Sequence, residues 1–302
     1  VTRARQKLIQ EMLIGSFDMY RYKVYPLFYE EANIYMVNRG SEEDSINIDY
    51  SFITHPGKYS ENQDCVLACG NLVQKSHEIY HGTHHLGDRS AVFAVADGVT
   101  LSERPAAASR NILSALKEMG DDWGASDQEF TYVLHELCQK RLAKLKHKLD
   151  NGATTFAALK VGGSGLSFAY CGDSPIHSVK DGSVCRLSNN HTLAMNLLRT
   201  GEIDHDEYEQ IKETFLGASL DGVVVFNGLS DAPLVELMHQ PLSKGTRYVI
   251  CSDGVDEHLT QDEISNTLAL DCSPSQLIRQ LMSICLERGG NDNISIIVLD
   301  IS

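Results

Sequence analysis

Four aspartates in this chain sit just past apolar, strand-like runs, and their placement constrains the fold more than any other feature. They fall in Ser60-Glu61-Asn62-Gln63-Asp64, Val95-Ala96-Asp97-Gly98, Cys251-Ser252-Asp253-Gly254 and Gly290-Asn291-Asp292-Asn293. A carboxylate at a strand tip is anchored by the sheet behind it and points into the cleft that the strand ends define. Four such groups converging repel one another strongly unless hard divalent cations lie between them. Oxygen ligands with no histidine beside them favour magnesium or manganese over zinc. The expected centre is therefore a cluster of Mn2+ or Mg2+ ions at one end of a sheet.

The rest of the sequence supplies that sheet. The runs over 90–96, 154–161, 166–171 and 247–251 are short, apolar and rich in β-forming residues. Two further runs, 176–179 and 184–187, flank Lys180-Asp181-Gly182-Ser183, whose Asp-Gly marks a hairpin. A long apolar strand is predicted over 293–301. Helices are predicted over 105–119 and over 127–149, the second with Phe130, Val133, Leu134, Leu137, Leu142, Leu145 and Leu149 on one face. Thr260 with Glu263 forms a capping box, and Ser273-Pro274 opens a helix that Gly289 can stop. Leu277, Ile278, Leu281 and Ile284 make its buried stripe. Strands in runs separated by helix pairs predict an α+β fold, a β-sandwich with helices packed outside it.

Two segments stand apart. Residues 1–47 carry Leu8, Ile9, Met12 and Leu13 at helical spacing, then six aromatic residues between Tyr20 and Tyr35. They read as an N-terminal extension, either a docking arm or an extra helix and strand completing the core. Residues 48–302 form the main domain. Within it, 189–230 reads as an insertion: a helix over 193–199 stopped at Gly201, then a second opened by Asp204 with Glu207. It is a flap beside the site or a surface subdomain.

Charge and cysteine usage narrow the function. Lys and Arg number 26 against 41 Asp and Glu, a net charge of −15, which argues against a nucleic-acid backbone as partner. No apolar run approaches the roughly 18 residues of a membrane span, and the first residues lack the apolar stretch of a secretory signal. Eight cysteines contain no C-x-x-C pair and read as reduced thiols, so a cytoplasmic location is expected. His77, His81, His84 and His85 crowd what reads as a loop before the strand at Ser90. They would bind zinc or donate a proton, or simply be solvated. The sequence contains no C-x5-R loop, no phosphate-binding G-x-x-x-x-G-K-[ST] and no G-x-S-x-G elbow.

In order, Asn62-Gln63-Asp64, Val95-Ala96-Asp97-Gly98, Gly152-Ala153-Thr154-Thr155, Cys171-Gly172-Asp173-Ser174, Ser252-Asp253-Gly254 and Asp292-Asn293 resemble the successive motifs of the metal-dependent protein Ser/Thr phosphatases of type 2C, in their bacterial form. The resemblance covers about residues 50–302. It implies a four-layer αββα architecture, a central antiparallel β-sandwich flanked by pairs of helices. It also implies roles. Asp97 would bridge two metals, with the carbonyl of Gly98 on one of them; Asp253 and Asp292 would hold the other. Asp64 would steady a metal or its water, and Asp173 would serve a third metal or merely shape a tight turn. Catalysis would rest on Asp64, Asp97 and Asp253.

Some positions depart from the family pattern. Val99-Thr100-Leu101 replaces a His or Met followed by two glycines, so the candidate general acid of eukaryotic members is missing. Tyr59, with Lys58 beside it, stands where a phosphate-gripping Arg is common; Lys offers a point charge without a bidentate fork. Gln63 replaces a metal-binding Glu, Pro175 replaces an Arg, and Asp256-Glu257 stands where a third-metal Asp is often found. His191, where an Asp-His pair is usual, is expected to make a structural hydrogen bond.

The resulting expectation is a phosphoprotein phosphatase. A water shared by two divalent ions loses its proton near neutral pH, and the same ions neutralise phosphate oxygens. The partners implied are a phosphorylated protein and a cognate Ser/Thr kinase, with no nucleic acid and no membrane. The alternative is a phosphatase-like binding module whose grip on phosphate is lost. A metal-dependent nuclease is disfavoured by the acidic charge.

Overall fold

Strand propensity and period-two patterning place fourteen strands and seven helices among the described residues of this computed structural model, which are 46–87, 90–124, 126–142, 152–163, 165–212, 214, 217–225 and 235–302. The N-terminal helix and aromatic stretch expected before residue 46 lie outside them, as do Leu145, Leu149 and residues 226–230. Contacts divide the chain between Glu43 and Asp44, and every described residue belongs to the second unit.

The order is β1 (Ile46–His55), β2 (Asp64–Ala68), β3 (Asn71–Val73), β4 (Tyr80–Leu86), β5 (Ala91–Asp97), α1 (Pro105–Met119), α2 (Asp127–Leu142), β6 (Ala153–Thr154), β7 (Phe156–Gly162), β8 (Gly165–Cys171), β9 (Ile176–Lys180) and β10 (Ser183–Arg186). Then come α3 (Leu193–Arg199), α4 (His205–Ile211), β11 (Val224–Val225), β12 (Glu236–Gln240), β13 (Arg247–Cys251), α5 (Asp253–Asp256), α6 (Gln261–Leu268), α7 (Pro274–Glu287) and β14 (Ile294–Ile301). One six-stranded sheet runs β10-β9-β13-β14-β1-β4 and the other β12-β8-β7-β5-β2-β3, with β11 and β6 as a separate pair.

Alternation along the strands builds four layers. In β2, Val66 and Ala68 face the opposing sheet while Cys65 and Leu67 face α1. In β14, Ile297, Leu299 and Ile301 face between the sheets, and Ile294, Ile296 and Val298 face α6 and α7. Each fully buried Leu, Ile, Val or Phe is worth about 1.5–3 kcal/mol, so three such cores supply ample driving force. The αββα sandwich is therefore as expected.

Local chemistry sets the element ends. The β9–β10 turn has positive φ at Asp181 (50°) and Gly182 (75°), as a two-residue hairpin requires. Capping boxes open α4, α6 and α7 at Asp204, Thr260 and Ser273. In α2 the buried stripe is Phe130, Leu134 and Cys138, with Val133, Leu137 and Leu142 packed against it.

Two expectations need correction. His81, His84 and His85 belong to no loop: they lie on β4, an edge strand paired with β1 in the register Ser51↔His81, Ile48↔His84 and Asn47↔His85. Edge position lets a polar strand escape the apolar pattern that marks a central one. Asp64 and Asp292 do not follow strands; Asp64 opens β2 and Asp292 stands just before β14. Because neighbouring strands are antiparallel, the start of one lies beside the end of the next, and the aspartates still meet.

Candidate metal centre

Asp64 and Asp97 are direct cross-strand partners on β2 and β5, so their side chains leave the sheet on the same face. Asp173 follows β8, whose Cys171 pairs with Phe156 of β7, the neighbour of β5. On the other sheet, Cys251 pairs with Ile296, which brings Asp253 just after β13 beside Asp292 just before β14. One end of the sandwich thus gathers all five predicted aspartates.

Asp64 is fully buried. Its Oδ2 accepts hydrogen bonds from Ser252 and Ser295, each 2.8 Å, and its Oδ1 has no partner. Burial, chiefly, lifts its pKa to about 6 against those two hydroxyls, and Asp292 adds repulsion. Asp97 and Asp253 keep some exposure, yet both are driven well above the usual carboxylate range. Burial is the first cause for each. Asp97 then feels Asp253, Asp64, Asp292 and Asp173, and Asp253 feels Asp173, Asp292, Asp64 and Glu257. Asp173 rises to about 6 through burial, with Asp256 raising it and Arg186 and His191 opposing, and its Oδ1 is also without a partner. Asp292 is raised mainly by burial. The five act as one electrostatic unit.

The backbone around them is tightly fixed. The carbonyl of Asp97 accepts from Thr155 N (2.8 Å) and Thr154 Oγ1 (2.7 Å). Gly98 donates to the carbonyl of Gln63 at 3.2 Å, and a Cβ there would meet the carbonyl oxygen of Pro105 at 2.2 Å. Asn293 holds the loop between β1 and β2 at three points: its Oδ1 accepts from Gln63 N (2.7 Å), and its Nδ2 donates to the carbonyls of Pro56 (2.9 Å) and Glu61 (3.3 Å). His191 accepts from Gly172 N on Nδ1 at 3.2 Å, so its proton sits on Nε2, 3.2 Å from Glu236 Oε1. It holds the turn before Asp173 and makes the structural hydrogen bond expected of it.

Glu257 is the acidic residue that motif reasoning left unassigned. One carboxylate oxygen from each of Asp253, Glu257 and Asp292 lies within 4.8 Å of the others. The four-residue step from Asp253 is the signal for it, since a helical turn brings i and i+4 together. Ser252 and Asn293 stand inside the recognised motifs, but only the folded sheets bring Ser252 and Ser295 to Asp64 and Asn293 to Gln63. Lys58 borders the cluster, its Nζ donating to Asn291 Oδ1 at 2.8 Å and its charge lowering the pKa of Glu257, which burial and Asp292 raise. Tyr59 is exposed beside it, and Leu101 in the loop after Gly98 is 94% exposed. Gln63, in place of a metal-binding Glu, accepts from Thr100 Oγ1 at 2.9 Å.

The donor set suits hard cations. It is made of carboxylates, two of them with a buried oxygen lacking any partner, and their mutual repulsion is what bound positive charge would relieve.

Solved structures superpose on this fold. The crystal structure of the serine/threonine phosphatase PstP/Ppp of Mycobacterium tuberculosis matches with a TM-score of 0.63 at 21% identity, over 84% of this chain and 98% of that one. The chain has the type 2C phosphatase fold. A second structure, the catalytic domain of the serine/threonine protein phosphatase PstP in complex with two manganese ions, matches with a TM-score of 0.61 at 22% identity, over 85% and 99% of the two chains. The Streptococcus agalactiae serine/threonine phosphatase gives 0.63 at 20% identity, over 84% and 100%.

Sequence similarity also points to serine/threonine protein phosphatases. PstP of M. tuberculosis is 22% identical over 215 residues, which are 70% of this chain and 40% of that protein. A putative 2C-type protein phosphatase of Streptococcus pyogenes is 29% identical over 145 residues, 47% of this chain and 56% of the relative. The match thus spans about two-fifths to just over half of these relatives. No protein-family model matches the chain.

Proposed function

We propose that this chain is a metal-dependent phosphoprotein phosphatase that hydrolyses phosphoserine and phosphothreonine with Mn2+ or Mg2+. The observation that carries the reading is the convergence of Asp64, Asp97, Asp173, Asp253, Asp292 and Glu257 into one oxygen-only cluster with raised pKa values. The family resemblance and the fold support it. In this reading Asp97 would serve both ions, the carbonyl of Gly98 one of them, and Asp253 and Asp292 the other, while Asp173 would serve a third or only shape its turn. When bound, such ions supply a water of lowered pKa and neutralise phosphate oxygens. Asp64 holds the Asp97 side of the cluster through its cross-strand position.

The chain's own residues fit direct hydrolysis without a covalent enzyme intermediate. The thiols nearest the site are buried: Cys65 is pushed up to about 12, and Cys171 and Cys251 are also raised, which leaves them protonated and poorly nucleophilic. Lys58 supplies the positive charge that the neighbouring Tyr59 cannot. The catalytic unit of this reading is 48–302, with the insertion 189–230 as a flap beside the site or a surface subdomain. A cytoplasmic phosphoprotein and its Ser/Thr kinase are the partners this reading requires.

One feature favours the alternative of a binding module: Tyr59 is exposed where an Arg fork is common in the family. Hydrolysis of p-nitrophenyl phosphate with MnCl2, beside EDTA and Asp253→Ala, separates the two. Turnover that needs metal and disappears in the variant supports the enzyme. No turnover with any divalent ion, in a protein that still binds Mn2+, establishes the binding module.

A further inference from the structure

His258 lies behind the acidic cluster and touches both loops that carry it. The ring is buried. Its Nε2 accepts a hydrogen bond from the backbone N–H of Asn291 at 2.8 Å, and its Nδ1 lies 2.6 Å from the carbonyl oxygen of Gly254. A backbone N–H can only donate, so Nε2 carries no proton, and the ring donates from Nδ1 to Gly254. One side chain thus ties the turn that bears Asp253 and Glu257 to the turn that bears Asp292, through Asn291, 33 residues beyond His258.

The turn at Asp253 needs such support. The helix α5 has four residues, and its N-cap Ser252 makes no capping bond: its oxygen accepts from the backbone N–H of Ser295 at 2.9 Å, and its proton goes to Asp64. A single turn has little stability of its own. From the other side, Arg288 Nη1 donates to the carbonyl of His258 at 2.6 Å while its guanidinium pairs with Glu263. Carboxylates that repel one another are held together by neutral hydrogen bonds from behind.

We infer that His258 is a positioning residue: it sets the spacing of Asp253, Glu257 and Asp292 by clamping Gly254 to Asn291, and so sets the affinity of the cluster for divalent cations. This rests on the metal-dependent reading above. A histidine that merely satisfied two backbone groups would affect melting temperature and leave metal affinity alone. Outer-shell partners of metal ligands typically control affinity about 10–100-fold.

The test is Mn2+ affinity, read by electron paramagnetic resonance on the purified chain without substrate. His258→Met keeps the volume and removes the acceptor; His258→Gln restores an acceptor and a donor. Binding weakened about tenfold or more in the Met variant, with most of it recovered in the Gln variant, supports the proposal. A Met variant that binds as tightly as wild type overturns it, as does a Gln variant no tighter than the Met one. Wild-type protein that binds no Mn2+ overturns the metal reading itself, and this inference with it. If near-ultraviolet circular dichroism shows the Met variant unfolded, the wild-type protein decides by NMR. The 15N–15N coupling across the Asn291 N–H to His258 Nε2 bond should persist when Mg2+ saturates the protein, and its loss on metal binding overturns the clamp.

Discussion

Asp64 and Asp97 confront each other across two adjacent strands, a pairing of like charges that a sheet ordinarily avoids. Replacing either Asp97 or Asp253 by Ala should relieve repulsion and abolish activity together. Turnover should fall by more than the roughly 10–100-fold typical of outer-shell changes, with the melting temperature of the metal-free protein held or raised. Full activity in either variant would remove the assigned site. Lys58 tests the grip on phosphate. Its ammonium is exposed, so Lys58→Ala should raise KM for a phosphopeptide by roughly 2–5-fold with kcat little changed, the range of about 0.5–1 kcal/mol for a solvent-screened charge. A drop in kcat with constant KM would assign Lys58 to the transition state instead.

At the scale of elements, the site is made by loops that the sheets bring together, and Asn293 is the staple among them. Asn293→Ala leaves the amide of Gln63 and two carbonyls without their partner, and should cost about 1–3 kcal/mol in denaturant unfolding. No change in the unfolding midpoint would show that water replaces the side chain. Most elements were legible in the sequence because their signals are local. The run Arg247–Cys251 is a strand with the predicted bounds, and the Thr260 and Ser273 caps open helices where the residues indicated. The strands β4 and β12 were not legible. Their residues, YHGTHHL and ELMHQ, are polar and half-exposed, since each strand lies on a sheet edge with only one neighbour. The aspartates could be read from their order along the chain and Glu257 from its four-residue step past Asp253, whereas His258 gains meaning only from what folds against it. His258 follows the recognised Asp253 motif yet acts on Asn291, and no local pattern encodes that contact.

Over the whole molecule, acidic repulsion couples stability to pH and metal. Asp64 and Asp173 bind a proton more tightly when folded, with pKa values near 6 against the ordinary value of about 4. Between those values the native state holds more protons than the unfolded chain, so stability falls as pH rises. Metal-free protein should therefore melt at a higher temperature at pH 5 than at pH 7.5. Mn2+ at about 100 times its dissociation constant should add about 2.7 kcal/mol at pH 7.5 and much less at pH 5, where protons compete for the carboxylates. Calorimetry showing the opposite pH order would refute the buried acidic unit. The position of β14 has a further consequence. It lies inside its sheet, between β1 and β13, and pairs with both. During synthesis, nearly 240 residues separate the emergence of the first of those partners from the strand that must join it, a loop closure of high contact order that slows folding. Until residues 294–301 leave the ribosome, β1 and β13 have nothing between them, and Asp292 has no place to stand. A nascent chain can complete the β2–β5 side early, but the acidic cluster closes only when that strand is added, so under the proposed function a ribosome stalled before it should carry an inactive domain with one sheet still open.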